Sequence, residues 1–211
     1  MFWIGTDGCG LNYYSHKTGR IGTVKGSSVI SHVHCIIEQN DSTLWVSTDG
    51  QGCYRCRFEI LNNTPVITDV KEIGFIEPFN STTAIYSMAF QNDTTLWFGS
   101  RGNGALSYDI QTEKCQIVQF PTDGGHAANE TFFVTKAEDM LFATGNGVAV
   151  HSAHKDSTYM LDYVPRKAIH AILPDGDGNL WITTNSGMIS LDGKFNYRTS
   201  FNRSSGIEVL E

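Results

Sequence analysis

The sequence predicts an all-β chain of stacked repeats, a β-propeller built of four-stranded antiparallel blades. Three observations carry that prediction. A short apolar phrase returns five times: Phe2-Trp3-Ile4-Gly5-Thr6, Leu44-Trp45-Val46-Ser47-Thr48, Leu96-Trp97-Phe98-Gly99-Ser100, the worn copy Leu141-Phe142-Ala143-Thr144, and Leu180-Trp181-Ile182-Thr183-Thr184. The chain has four tryptophans, and each takes the second position of a copy. The landmarks Trp3, Trp45, Trp97, Phe142 and Trp181 lie 42, 52, 45 and 39 residues apart, a step that brackets the length of a propeller blade.

The phrase is β-branched and aromatic, so it reads as a strand. A glycine-bearing turn follows, then a second strand-like run: Cys53 to Phe58, Ala105 to Tyr108, Val148 to His151, Met188 to Leu191. Two such runs around a glycine turn make a hairpin. Upstream of the phrase lies an inner run: Val29 to Glu38, Ala84 to Phe90, Thr131 to Ala137, Ile169 to Leu173. An outer run closes each unit: Arg20 to Lys25, Val66 to Phe75, Cys115 to Phe120, Thr158 to Tyr163, Phe195 to Phe201. Four antiparallel strands make one blade. The five landmark rings are expected to be packing anchors between blades, because a ligand-stacking residue would not recur identically in every unit.

The whole chain, 1–211, reads as one propeller segment of about four and a half to five blades. Its units are 1–28 (partial), 29–76, 83–123, 130–164 and 168–202, with 203–211 starting a further strand. The second unit is lengthened by Phe58 to Pro65, and Pro121 to Asn129 is the longest irregular piece. Two arrangements stay open. Gly206-Ile207-Glu208-Val209-Leu210 would supply the inner strand missing from the first unit and close a small five-bladed ring, or the chain is a partial ring, a slice of a longer propeller. The slice is preferred, since both cuts fall inside the repeat. A slice exposes an apolar blade face, so self-association is expected.

Composition narrows the partners. The net charge is −7, with 15 Lys and Arg scattered among 22 Asp and Glu. A nucleic-acid partner needs a basic stripe, and none is present. No apolar run is long enough to span a bilayer, so no membrane contact by this segment is expected. The N-terminus lacks a signal-peptide layout. Cys53 and Cys56 form a CxxC, but at that spacing strand side chains point to opposite faces, so they read as buried apolar residues and not as metal ligands.

The phrase Asp177-Gly178-Asn179-Leu180-Trp181-Ile182-Thr183-Thr184-Asn185-Ser186-Gly187, followed by Met188-Ile189-Ser190-Leu191-Asp192, resembles the two-component-regulator propeller repeat. So does Leu96-Trp97-Phe98-Gly99-Ser100 with Gly104 and Leu106-Ser107-Tyr108-Asp109. The resemblance covers nearly the whole chain and is weakest in the fourth unit. It implies the extracytoplasmic, periplasmic sensor part of a bacterial hybrid two-component histidine kinase. Such receptors commonly sense breakdown products of complex glycans. Their propellers are generally seven-bladed and are followed by an immunoglobulin-like domain, a membrane helix and kinase modules. The partners implied are an oligosaccharide or other small polar ligand and the remaining blades of the parent receptor.

Candidate ligand-binding residues sit in the turns after the anchor strand: Asp7, Asp49, Arg101, Asn103, Asn146 and Asn185, beside Cys9 and Gln51. Hydrogen-bonding side chains of mixed charge suit a sugar, although Asp and Asn favour such turns anyway. His32, His34, Tyr86 and His170 lie on inner strands. Counted from the anchor, His34, Tyr86, Thr131 and His170 share one register. No metal site, cofactor or catalytic residue is expected. Asp175-Gly176-Asp177-Gly178-Asn179 opens like a calcium loop but lacks the glycine and closing glutamate such a loop needs, so it reads as a strand-joining turn. Asn40, Asn62, Asn80, Asn92, Asn129 and Asn202 read as turn residues. The function expected is a non-catalytic sensor segment. The alternative is a propeller enzyme, a polysaccharide lyase or glycoside hydrolase, which would need converging carboxylates. Only Asp7 and Asp49 offer an acidic pair at equivalent turn positions.

Overall fold

The computed structural model of the protein describes residues 1–121 and 129–207. Strands fall into five antiparallel sheets. The first sheet holds β1 (Phe2–Thr6), β2 (Gly10–Ser15) and β3 (Arg20–Thr23). The second holds β4 (Val33–Asn40), β5 (Thr43–Thr48), β6 (Cys53–Leu61) and β7 (Thr64–Glu72). The third holds β8 (Ile85–Phe90), β9 (Thr95–Ser100), β10 (Ala105–Asp109) and β11 (Cys115–Val118). The fourth holds β12 (Thr131–Lys136), β13 (Met140–Thr144), β14 (Gly147–Ser152) and β15 (Ser157–Met160). The fifth holds β16 (Ile169–Pro174), β17 (Leu180–Thr184), β18 (Gly187–Leu191) and β19 (Tyr197–Phe201). Each sheet is an up-and-down meander with strands in chain order. Among the described residues, no helix is long and apolar enough to cross a membrane.

The chain divides into two compact units, Met1–Met88 and Ala89–Glu211. In the first, Leu11 and Tyr13 of the first sheet, with Val24 just past it, meet Leu44, Val46, Tyr54 and Cys56 of the second in one buried cluster. In the second unit, Trp97 and Ala105 of the third sheet, with Phe120 just past its last strand, meet Met140, Phe142 and Ala149 of the fourth. The other face of the fourth sheet, Leu141, Ala143, Val148 and Val150, meets Ile172, Leu180, Ile182 and Leu191 of the fifth. These inner strands are apolar on both faces, as face-to-face sheet packing requires.

Every hairpin after the anchor strand is closed by the same hydroxyl. Thr6, Thr48, Ser100, Thr144 and Thr184 each donate to the carbonyl of a downstream glycine, Gly10, Gly52, Gly104, Gly147 and Gly187. These glycines have positive φ, and at Gly187 (φ 132°) a Cβ would lie 2.1 Å from the Phe201 carbonyl oxygen. Only glycine fits there.

That hydroxyl also corrects the register of the fourth unit. It follows each tryptophan by three residues, but follows Phe142 by two. Leu141, opposite Thr135 and Val150, therefore stands in the tryptophan slot, as Trp181 stands opposite Leu173 and Ser190. Phe142 points to the opposite face of β13, where its ring packs 5.3 Å from that of Trp97. A slip of one residue along a strand moves a side chain to the other face of the sheet. Phe142 is buried all the same, as are Trp45 and Trp97. Trp3 and Trp181 are only half-buried; Trp3 meets Phe58 edge-on at 4.8 Å, and Trp181 stacks on Phe201 at 6.1 Å.

The lengthening of the second unit by Phe58 to Pro65 is made of strand. Both β6 and β7 extend across it and meet at Asn62-Asn63, where both residues have positive φ (52° and 62°). That is the geometry of a two-residue hairpin turn, and Asn tolerates it. The expectations for the 121–129 loop and for Gly206 to Leu210 fall largely on 122–128 and 208–211, outside the described residues.

Candidate functional site

Two features of the blade plan bring side chains together at the hairpin end of each sheet. The first is the residue directly after the stapling hydroxyl: Asp7, Asp49, Arg101, Gly145 and Asn185. The second is a β-bulge at the start of the inner strand. Pairing skips His34 between Val33 and Cys35, Phe132 between Thr131 and Phe133, and His170 between Ile169 and Ala171. A bulged residue leaves the ladder and its side chain is re-aimed, a device common beside binding sites. The position aligned from the sequence as Thr131 is thus Phe132. The one-residue slip at Phe142 and a turn two residues shorter in the fourth sheet explain the offset. Likewise the turn-leading place in that sheet is Gly145, and Asn146 is the residue after it.

In Met1–Met88, the His34 ring stacks on Tyr86 at 5.3 Å, with an interplanar angle of 26°. The Asp49 Oδ2 lies 4.0 Å from His34 Nε2. Beside this pair, Asp7 Oδ1 lies 3.7 Å from His32 Nε2, and His32 Nδ1 is 2.8 Å from Ser31 Oγ. Ser31 Oγ also donates to Gln51 Oε1. A hydroxyl has one proton. With that proton on Gln51, the Asp7–His32–Ser31 line leaves the Ser31 oxygen as an acceptor. A cavity of about 300 Å³ opens between the Gly8–Gly10 turn and the segment from Thr23 to Ser31.

In Ala89–Glu211, His170 Nε2 hydrogen-bonds Asn185 Oδ1. The His170 ring lies 5.9 Å from Phe132. Arg101 is exposed. Asn103 and Asn146 are half-buried, and each uses its backbone N–H to bond the stapling hydroxyl, Ser100 Oγ at 3.2 Å and Thr144 Oγ1 at 3.1 Å. Of the six sequence candidates, the structure thus sets Asp7, Asp49 and Asn185 against imidazoles, while Asn103 and Asn146 serve the turn.

A further device escaped the sequence reading. The indole N–H of Trp45 donates to Gln39 Oε1 at 2.9 Å, that of Trp97 to Gln91 Oε1 at 2.8 Å, and that of Trp181 to Asp175 Oδ2 at 2.9 Å, each partner six residues upstream. Trp3 donates instead to Glu38 Oε1 at 2.5 Å. Buried indole N–H groups need an acceptor. The signal was legible as Gln or Asp six residues before each of these tryptophans.

The acidic turn at Asp175 is closed from within. Its carboxylate accepts from the backbone N–H of Asp177 and Asn179, from the Asn179 amide and from the Trp181 indole. The Asn179 amide and then the indole hold the carboxyl down at about 2. Asn40, Asn80, Asn92 and Asn202 behave alike: each Oδ1 accepts the backbone N–H and the hydroxyl of the Ser or Thr two residues on. Cys53 and Cys56 are both buried free thiols; burial pushes Cys56 up to about 12. Among the described residues, no three His, Cys, Asp or Glu converge as metal ligands would.

Meandering four-stranded sheets packed face to face, with one hairpin plan repeated throughout, define a β-propeller. Comparison with known proteins agrees. The extracellular domain of a hybrid two-component system from B. thetaiotaomicron superposes with a TM-score of 0.71, at 20% identity, over 95% of this chain and 27% of that one. Virginiamycin B lyase from Staphylococcus aureus superposes at 0.67 with 16% identity, over 95% of this chain and 65% of that one. Residues 163–186 match the family model described as two component regulator propeller. A histidine kinase of Formosa agariphila is 20% identical over 219 residues, covering 97% of this chain and 16% of the kinase. The chain spans less than a third of the length of either receptor relative.

Proposed function

We propose that this chain is a non-catalytic, ligand-binding segment of the periplasmic sensor region of a hybrid two-component receptor, and that its ligand is a glycan-derived sugar. The observation that carries the reading is the pairing of turn and bulge. Asp49 sits beside a His34 ring stacked on Tyr86, and Asn185 bonds a His170 ring beside Phe132. Rings with a polar neighbour at their edge suit a sugar, which has an apolar face and a hydroxylated rim. The receptor relatives support the sensor role, and the extracellular location of the B. thetaiotaomicron domain supports the compartment. The remaining partners are further blades of the parent receptor or, for the isolated chain, a second copy. Exposed Phe2, Ile21 and Leu173 on sheet faces favour both.

The lyase likeness keeps an enzymatic reading in view. Incubation with a glycan panel separates the two. Saturable binding with intact glycan is expected; bond cleavage would replace the sensor reading with a catalytic one.

A further inference from the structure

We infer that the cavity between the first hairpin turn and the segment leading into β4 is a sugar site, built for an uncharged saccharide and turning away uronic-acid and sulfated ones. The inference rests on the sugar-sensing reading above and adds the ligand's charge class to it.

The argument starts from the 300 Å³ cavity between the first hairpin turn and the segment leading into β4. That volume lies at the small end of the range for ligand pockets, about 300–1,000 Å³, and suits a mono- or disaccharide. Its described lining includes Cys9, Thr23, Ser27, Ser28 and Ser31, and no Asp, Glu, Lys, Arg or His. Two of its walls meet backbone to backbone: a Cβ on Gly10 would lie 2.4 Å from the Ile30 carbonyl oxygen.

The decisive point is where the hydroxyl protons go. Thr23 Oγ1 donates to Asn12 Oδ1 at 3.0 Å. Ser27 Oγ donates to the Val24 carbonyl at 2.8 Å. Ser31 Oγ donates to Gln51 Oε1. Each of these three hydroxyls has spent its one proton on a neighbouring oxygen and offers the cavity lone pairs, so the exposed Ser28 hydroxyl is the one still able to donate. A sugar hydroxyl donates to such oxygens. A carboxylate or sulfate brings only acceptors and would be desolvated with no cation in the described lining to pair with it, a costly arrangement. The rim repeats the preference. Asp7, whose side chain is 95% exposed and which directly precedes Gly8 of the lining, adds a negative charge. No Lys or Arg in the described lining offsets it. His32, beside Asp7, joins the rim to the cavity through Ser31.

The test is calorimetric titration of the intact chain with maltose, cellobiose and lactose, and in parallel with digalacturonate and a sulfated disaccharide. Saturable binding of a neutral disaccharide is expected, with no detectable binding of the anionic ones. Amide NMR shifts should place it at Cys9, Thr23 and Ser31. Thr23→Val keeps the shape and removes one acceptor, so neutral-sugar affinity should fall roughly two- to tenfold. Asp7→Arg, on a fully solvated side chain, should let digalacturonate bind. Anionic sugars binding as tightly as neutral ones would overturn the charge preference and leave the sensor reading standing. Neutral binding that leaves the Thr23 and Ser31 amides unmoved would overturn the placement. Failure of every sugar, neutral and anionic, would bring down both this inference and the sugar-sensing reading.

Discussion

In the third sheet Trp97 reaches across its strand turn to Gln91; in the fourth, the same two places hold Leu141 and Ala137. The equivalence follows from the turns: the Gln91 N–H bonds the Thr95 carbonyl, and the Ala137 N–H bonds that of Asp139, two residues nearer. Indole and acceptor have therefore disappeared together, and the turn has shortened. The hydroxyl staple has not: Ser100 and Thr144 bond their glycines at the same distance, 2.9 Å. A repeat can thus lose its bulkiest side chain provided the polar group that satisfied it goes too. An acceptor left behind, or an indole without one, would be a buried unpaired group. Phe142, on the opposite face of the strand, packs against Trp97 of the third sheet.

The largest effect should come from breaking the intact member. Trp97 is 2% exposed and packs against Phe142, Met140 and Val134. Trp97→Ala should cost about 3–5 kcal/mol, read by chemical denaturation. An unchanged midpoint would mean the indole is not a packing anchor. Next comes the attempt to rebuild the worn member. Leu141→Trp overfills a packed slot and buries an N–H with no acceptor, a loss of about 1–3 kcal/mol. Ala137→Gln in the same chain should recover about 1 kcal/mol of it. If the double variant is no better than the single, the coupling of the two positions is coincidental.

A smaller effect of opposite sign tests the first residue of the inner strand. The second, third and fifth sheets place Val33, Ile85 and Ile169 there, and the fourth places Thr131. Thr131 is fully buried, and its Oγ1 is a buried side-chain oxygen without a hydrogen-bond partner among the described residues. Thr131→Val removes that group at nearly constant shape and should stabilise the protein by about 1 kcal/mol. A loss of stability would show that the hydroxyl is satisfied.

How much of this was readable in advance divides along physical lines. The strand order and the blade count followed from the phrase, because strand propensity and glycine turns are local properties. The fourth unit was misaligned because a phenyl ring mimics an indole in a one-dimensional match. Thr144, three residues from Leu141 and two from Phe142, carried the correction, and its meaning depends on a hydrogen bond to Gly147. The bulges at His34, Phe132 and His170 arise from pairing between strands, which no single strand encodes. The candidate site was half legible. Asp49 and His34 were both singled out, but not that they are neighbours. The two-residue turn at Asn62-Asn63 was not read from the sequence, where Phe58 to Pro65 stood only as a lengthening of the second unit.

The fifth sheet supplies the last test, since there the acceptor is a charged one. Gln91 and Asp175 serve the same indole position, yet Asp175 also gathers two backbone N–H groups and the Asn179 amide. Those donors favour the ionised carboxyl and hold it at about 2. A depressed folded-state value means the unfolded chain binds its proton first as pH falls. The stabilisation is therefore complete above about pH 4, where an unfolded Asp is ionised, and drains away as pH falls through about 2. Asp175→Asn keeps one acceptor oxygen and turns an NH2 toward a group that is itself a donor. Thermal unfolding should show the variant less stable than the parent near neutral pH, with the gap narrowing as the pH drops toward 2. Gln91→Glu in the third sheet should produce no comparable acid dependence, because that acceptor receives the indole alone among its described bonds. A gap for Asp175→Asn that stays constant with pH would show that the turn depends on the shape of the side chain and not on its charge.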